Sequence, residues 1–284
     1  MSGRTKLCAL IGDPVEHSLS PMMHNAAFKH LNLDFIYLAF RVEKHNLKAA
    51  IEGVRALKIH GLNVTKPLKV DVAALLDELD FSARNMGAVN TVLNQNGRLI
   101  GYNTDGVGAL SAIQEAGVEL EELKTVILGA GGASRAVAHS LANKVGELVI
   151  LNRTISKAER LASELKKLYQ SEVRYGGLDS QTVASELSDA DLVINATSVG
   201  MKPNENASPI NPELIRPDMV IFDLVYNPIE TLLLRNAKEA GAKTINGLSM
   251  LLHQGAASFK IWTGVDAPLD VMGAALKKAL GEYP

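Results

Sequence analysis

Four runs in the second half of the chain, TVILGA, ELVILNR, DLVINAT and MVIFDLVY, are apolar at nearly every position of their cores rather than at alternate ones. A strand that offers apolar side chains to both faces must be covered on both, as in a parallel sheet sandwiched between helices. Helical patterns separate the first three runs and follow the fourth, and strands alternating with helices pair in parallel through crossover connections. LCALIG, FIYLAF and HGLNV repeat the arrangement nearer the start. The expected class is therefore α/β. AVNTVLNQNGRLIGYN breaks the pattern: its Asn96-Gly97 dipeptide between two apolar runs signals a hairpin, so one antiparallel pair is expected inside a mainly parallel first sheet.

A chain of 284 residues suits two α/β domains. The boundary is expected near Thr104, with residues 1–104 plus 247–284 forming one domain and 105–246 the other. The tail reads as two helical segments, GLSMLLHQGAASFKIWTG and one from about Pro268, which return to the first domain. The 29 Lys plus Arg against 31 Asp plus Glu leave a net charge of -2, which gives no electrostatic reason to expect nucleic acid or an anionic membrane. Cys8 is the only cysteine, so neither an internal disulfide nor a cysteine-based metal site can form. The apolar run Leu7 to Ile11 is too short for a signal-peptide core, and no stretch approaches the ~20 apolar residues of a membrane span. A cytoplasmic protein without metal is expected.

TVILGAGGASRAVAHSL places Gly129, Gly131 and Gly132 directly after a strand and at the start of an amphipathic helix. Small residues there let the backbone approach a pyrophosphate, whose charge meets amide N–H groups and the helix N-terminus. Ser134 stands where the third glycine or alanine of the dinucleotide fingerprint belongs, which weakens the match. The next strand ends in Asn152-Arg153-Thr154 where an NAD site would place an acid. Arg153 can bind a 2'-phosphate and lie flat on adenine, which favours NADP. The plainer account is an arginine on an exposed turn with Ser156 capping the next helix, and for Lys157 the two accounts weigh equally. Asn195 to Ser198, after the third run, add polar groups at the same carboxyl edge.

The second cluster lies in the first domain. GLNVTKPLKV crowds Asn63, Thr65, Lys66 and Lys69 around Pro67 at the end of a core strand. In HSLSPMMHNAAF, Ser20 reads as a helix N-cap and Pro21 as the first helical residue, while Ser18 has no such reason to be there. Two hydroxyls beside a helix N-terminus suit a small carboxylate. Asp105 has a bland reading as a helix cap. His17, His24 and His253 form no metal-ligand spacing and read as supporting or surface residues.

HSLSP, NVTKPLK, GAVNT, GYNTDG, GAGGAS, NRT, NATSVGM, DLVYNP and NGLSMLLHQGA together resemble shikimate dehydrogenase in order and over nearly the whole chain. The resemblance implies a substrate domain, a Rossmann-like NADP-binding domain and an active site in the cleft between them. It implies NADP-linked reversible reduction of 3-dehydroshikimate to shikimate, on the way to chorismate and the aromatic amino acids. Carried over by position, it makes Lys69 and Asp105 the catalytic pair and leaves Lys66 outside it. It gives Ser18, Ser20, Asn63, Thr65, Asn90, Tyr226 and Gln254 to the substrate. It gives Gly129, Ala130, Gly131, Gly132, Ala133, Asn152, Arg153, Thr154, Lys157, Thr197, Leu224 and Gly247 to the cofactor. Its partners would be small molecules, with a homodimer as one assembly open to it. A relative that also oxidises quinate or relaxes its cofactor choice, a folate-type dehydrogenase and a non-catalytic nucleotide-binding regulator remain as alternatives.

Overall fold

The computed structural model describes residues 2–281. In chain order its first elements are β1 (Lys6–Gly12), α1 (Ser20–His30), β2 (Phe35–Arg41), α2 (Leu47–Ala56), β3 (Gly61–Val64), β4 (Glu78–Leu79), α3 (Phe81–Met86), β5 (Thr91–Gln95), β6 (Arg98–Tyr102) and α4 (Asp105–Glu115). They continue with β7 (Lys124–Leu128), α5 (Gly132–Leu141), β8 (Glu147–Leu151), α6 (Ile155–Tyr169), β9 (Val173–Gly176), α7 (Ser180–Leu187), β10 (Leu192–Asn195), β11 (Val220–Asp223), α8 (Leu232–Glu239), β12 (Lys243–Ile245), α9 (Gly247–Thr263) and α10 (Leu269–Ala279). The chain divides into two compact units, Met1–Val107 with Leu252–Pro284 and Gly108–Leu251. No helix among the described residues is long and apolar enough to cross a membrane.

The sheet of the second unit runs β12-β11-β10-β7-β8-β9 with every pair parallel, the doubly wound order of dinucleotide-binding folds. Its apolar runs behave as their composition requires. Ile127, Leu148, Ile150 and Ile194 point into one buried cluster, while their neighbours Val126, Leu128, Val149, Leu151 and Val193 point into another on the opposite face. Between ELVILNR and DLVINAT the sequence shows one helix, but the chain forms α6, β9 and α7. Of β9 only Val173 is buried, and Arg174 is spent on ion pairs with Glu147 and Glu186, so this edge strand carries little apolar signature.

In the first unit the order is β2-β1-β3-β5-β6-β4. The β3–β5 and β5–β6 pairs are antiparallel and the others parallel. Asn96 and Gly97 turn the hairpin at φ 53° and 96°, the left-handed values that Asn-Gly supplies at low cost. The antiparallel step sets Asn63 opposite Thr91, and so brings NVTKPLK against GAVNT.

The tail closes this unit. The α10 helix packs on α1, and α9 brings Trp262 over Gly61 of β3, where any Cβ would lie 2.4 Å from the indole ring. The indole N–H donates to the Val92 carbonyl at 3.0 Å, so the ring is both packed and hydrogen-bonded. Trp262→Ala should therefore lower the unfolding free energy by about 3–5 kcal/mol, as emptying a large aromatic site does. Urea unfolding followed by circular dichroism checks this, and a loss below 1 kcal/mol would show that α9 is not bound through its indole.

Candidate active site

In the first unit the strand end after β3 leads through Thr65 and Pro67 to Lys69, whose backbone carbonyl accepts from Val89 N at 2.7 Å. That bond fixes the root of the side chain. Lys69 Nζ donates to Asp105 Oδ2 at 2.5 Å, with the two side chains 24% and 9% exposed. The ion pair is thus shielded but open at the amine. Asp105 opens α4, and its other oxygen accepts from Asn90 Nδ2 at 2.8 Å. Asn90 is itself held on its oxygen by Thr104 N at 2.8 Å and the Thr91 hydroxyl at 2.9 Å. Gln254, on α9, brings its Oε1 to 3.5 Å from Asn90 Nδ2.

The residues assigned to substrate divide by exposure. Thr65 and Ser18 are half-buried, and Asn63 and Asn90 are buried with their amides engaged inside the protein; Lys66, which is not assigned to substrate, is exposed. Ser20 is not an N-cap. The helix begins one residue earlier than expected, with Leu19 at the cap position and no side-chain cap bond, while Ser18 Oγ accepts the Ser20 N–H at 3.3 Å. The Ser20 side chain is then free to turn inward, where it is 7% exposed. His17 is exposed and His253 half-buried, whereas His24 is a core residue with both ring nitrogens unpartnered, and burial pushes it down to about 3. Tyr226 lies in the second unit, three residues past β11, half-buried and with its phenol pushed up by burial.

The second unit gathers the residues assigned to the cofactor at the carboxyl ends of its strands. Gly129 follows β7 at φ 111°, and a Cβ there would lie 3.1 Å from the Ala196 carbonyl oxygen, so β7 and β10 meet at the point where the strand order reverses. Ser134 does not weaken this turn. Its buried hydroxyl donates to the Gly129 carbonyl at 2.5 Å and pins the loop that a third glycine would leave to packing alone. Nothing lies within 4 Å of a Cβ built on Gly131 or Gly132, and α5 begins without a side-chain cap, so its first N–H groups face open space suited to an anion. Ala130, Gly131, Asn152, Arg153, Thr154 and Lys157 line a cavity of about 180 Å³. Asn152 shapes it by accepting from Ala130 N at 3.1 Å and donating to the Thr154 carbonyl at 2.9 Å. Ser156 is not the cap of α6, since the helix starts at Ile155 behind Thr154 and leaves Ser156 exposed in the first turn. Gly247 answers a packing demand, because a Cβ there would lie 2.4 Å from the Leu224 carbonyl oxygen. These residues fit a phosphate-bearing dinucleotide.

The model for the shikimate dehydrogenase substrate binding domain matches residues 10–92. Those for shikimate / quinate 5-dehydrogenase and for the shikimate 5'-dehydrogenase C-terminal domain match residues 111–227 and 247–277. Shikimate dehydrogenase (NADP(+)) of Methanocaldococcus jannaschii is 50% identical over 281 residues, covering 97% of this chain and 98% of that one. The chain belongs to the shikimate dehydrogenase family. A solved shikimate dehydrogenase in complex with NADP+ superposes at a TM-score of 0.94 with 47% identity, covering 99% of this chain and 98% of that one. Shikimate 5-dehydrogenase of Listeria monocytogenes in complex with shikimate and NAD gives 0.92 with 39% identity, covering 97% and 98%.

Asp223 opens the DLVYNP motif but has no assigned role there; it shapes the loop after β10. It is fully buried and accepts from Asn195 Nδ2 at 2.9 Å, Val225 N at 3.0 Å and the Thr231 hydroxyl at 2.6 Å. Asn195 in turn accepts from Thr197 N at 3.1 Å and from the Thr197 hydroxyl at 2.7 Å, which fixes the Ala196–Thr197 turn beside Gly129. Burial pushes the Asp223 carboxyl up to about 6 against these hydrogen bonds. Between about pH 4 and 6 the folded protein therefore holds a proton that the unfolded chain has released, and stability falls as pH rises through that window. Asp223→Asn removes this dependence, yet puts a carboxamide NH2 where Oδ2 accepts the Thr231 hydroxyl and should cost about 1–3 kcal/mol at pH 7. Chemical unfolding of both proteins from pH 4 to 8 checks the sign and the size; an unchanged pH slope in the variant would refute the assignment.

Proposed function

We propose that the protein is an NADP-dependent shikimate dehydrogenase that interconverts 3-dehydroshikimate and shikimate, with Lys69 as acid–base group and Asp105 as its anchor. The observation that carries the reading is the Lys69–Asp105 pair, backed by Asn90, in a chain half identical to a shikimate dehydrogenase over nearly its full length. Bound NADP would supply or accept the hydride. Gly131, Gly132 and the α5 N-terminus would hold its pyrophosphate, and Arg153 with Lys157 its 2'-phosphate.

The work of the substrate site follows from charge. Reduction of a ketone leaves negative charge on its oxygen, and the Lys69 ammonium stabilises that charge and hands over a proton. In the reverse direction the neutral amine takes the proton back. Asp105 limits the directions the ammonium can face, so the proton is presented along one line. Ser18 and Ser20 lie at the start of α1, where hydroxyls and the helix dipole suit the substrate carboxylate. Thr65 and Gln254 would reach ring hydroxyls. The network leaves Asn63 and Asn90 less to offer substrate than their positions in the motifs suggest, since their amides are taken up inside the protein. The reading implies a cytoplasmic enzyme of small-molecule metabolism, and light scattering would check a homodimer.

Lys69→Ala should lower kcat by about 10^2 to 10^4 while leaving NADP binding in place. Turnover near the original rate would remove Lys69 from its role. Arg153→Ala should raise KM for NADP roughly tenfold to a hundredfold, the worth of one charge-assisted contact, and leave KM for NAD nearly unchanged. Absorbance of the reduced cofactor with shikimate, and with quinate as competitor substrate, reads both; equal loss with NAD and NADP would overturn the phosphate assignment.

A further inference from the structure

Tyr37, on β2, has no exposed surface. Its ring stacks on His24 at 4.5 Å between centroids and tilts against Trp262 at 5.9 Å, so the ring itself is ordinary core. The hydroxyl is not. It donates to Asn63 Oδ1 at 2.7 Å. His24 does not compete for it, since neither of its ring nitrogens has a hydrogen-bond partner.

A carboxamide has one acceptor end and one donor end, so a hydroxyl proton on the oxygen decides which way the amide faces. With Oδ1 turned to Tyr37, Asn63 Nδ2 faces the Asn90 carbonyl, Thr91 Oγ1 and Ser258 Oγ, each at 3.1 Å. Ser258 comes from α9 and is fully buried. It sits 2.7 Å from Thr91 Oγ1 and 3.2 Å from Thr104 Oγ1, and donates to the Gln254 carbonyl at 3.0 Å. The Thr91 hydroxyl donates to Asn90 Oδ1 at 2.9 Å. That leaves Asn90 Nδ2 to donate to Asp105 Oδ1, while Asp105 Oδ2 accepts from Lys69 Nζ. Packing alone would require only that each group find a partner. Here the buried groups form one continuous network that runs from Tyr37 and Ser258 through Asn63, Thr91 and Asn90 and ends on Asp105 and Lys69.

We propose that Tyr37 and Ser258 are positioning residues for the reaction assigned above: together they orient the Asn63 amide and the Thr91 hydroxyl, and through Asn90 they aim Asp105 and the Lys69 ammonium. The proposal rests on that reading of function and adds residues that no motif marks. Tyr37→Phe keeps the ring against His24 and Trp262 and removes only the hydroxyl.

Misaiming a proton donor lowers the rate more than binding, so kcat should fall about ten- to a hundredfold in Tyr37→Phe and in Ser258→Ala, with KM for shikimate and NADP held within about twofold. Two residues acting through one chain of bonds are not additive, so the double variant should lose little more than the weaker single. Wild-type kcat in the folded variants overturns the proposal, as do losses that multiply in the double. If Tyr37→Phe does not fold, the split between kcat and KM in Ser258→Ala decides alone. Wild-type protein assayed alongside tests the functional reading by itself. Should it leave shikimate untouched, the proposal is decided by how fast a water-soluble acylating reagent modifies Lys69 at fixed pH. Faster modification in the variants supports a loosened grip by Asp105, and equal rates refute it.

Discussion

An ammonium and a carboxylate drawn partly out of water cost several kcal/mol each unless they pair closely and their remaining lone pairs and protons are used. The Lys69–Asp105 pair imposes that condition on the first unit. One oxygen of Asp105 is taken by Lys69, and the other needs a donor that Asn90 supplies. Asn90 can supply it only if its own oxygen is satisfied, which draws in Thr104 and Thr91, and Thr91 meets Asn63 only because β3 and β5 run antiparallel in the register that opposes those two residues. The change of strand direction in an otherwise parallel sheet is thus what lets two distant motifs share one polar core.

The second unit solves a related problem around Asp223. A buried carboxylate with three donors gives Asn195 a fixed direction, and Asn195 fixes the turn at Thr197 beside Gly129. Both units therefore shape backbone or side chain at a strand end through an acid and an amide buried behind it. Loops at such ends can stay open to a ligand because their conformation is set from inside the sheet.

Much of this was legible in the residue order. Runs apolar at every position required a doubly covered sheet, and Val149 and Ile150 do face opposite cores. Asn96-Gly97 turned the hairpin it signalled. Where the reading slipped, the signal was weak or lay far away in sequence. Glu78–Leu79 and Val173–Gly176 are short strands at sheet edges, with little apolar periodicity to mark them. The start of α1 lies one residue earlier, behind Leu19, which has no side-chain cap bond to mark it. Ser134 looked like a flaw in a fingerprint until its bond to Gly129 showed an alternative way to hold the turn. Tyr37 and Ser258 were invisible, since what distinguishes them is contact with Asn63 from 26 residues before it and 195 after.

That last separation has an effect during synthesis. Ser258 and Trp262 belong to the unit that starts the chain, yet they are translated after every residue of Gly108–Leu251. A nascent chain can therefore complete its cofactor-type unit while the leading segment still waits for α9, with Gly61 uncovered and the Asn63 amide missing one of its acceptors. A product truncated before α9 would therefore carry Lys69, Asn90 and Asp105 but lack the Ser258 hydroxyl and the Gln254 side chain that border their network.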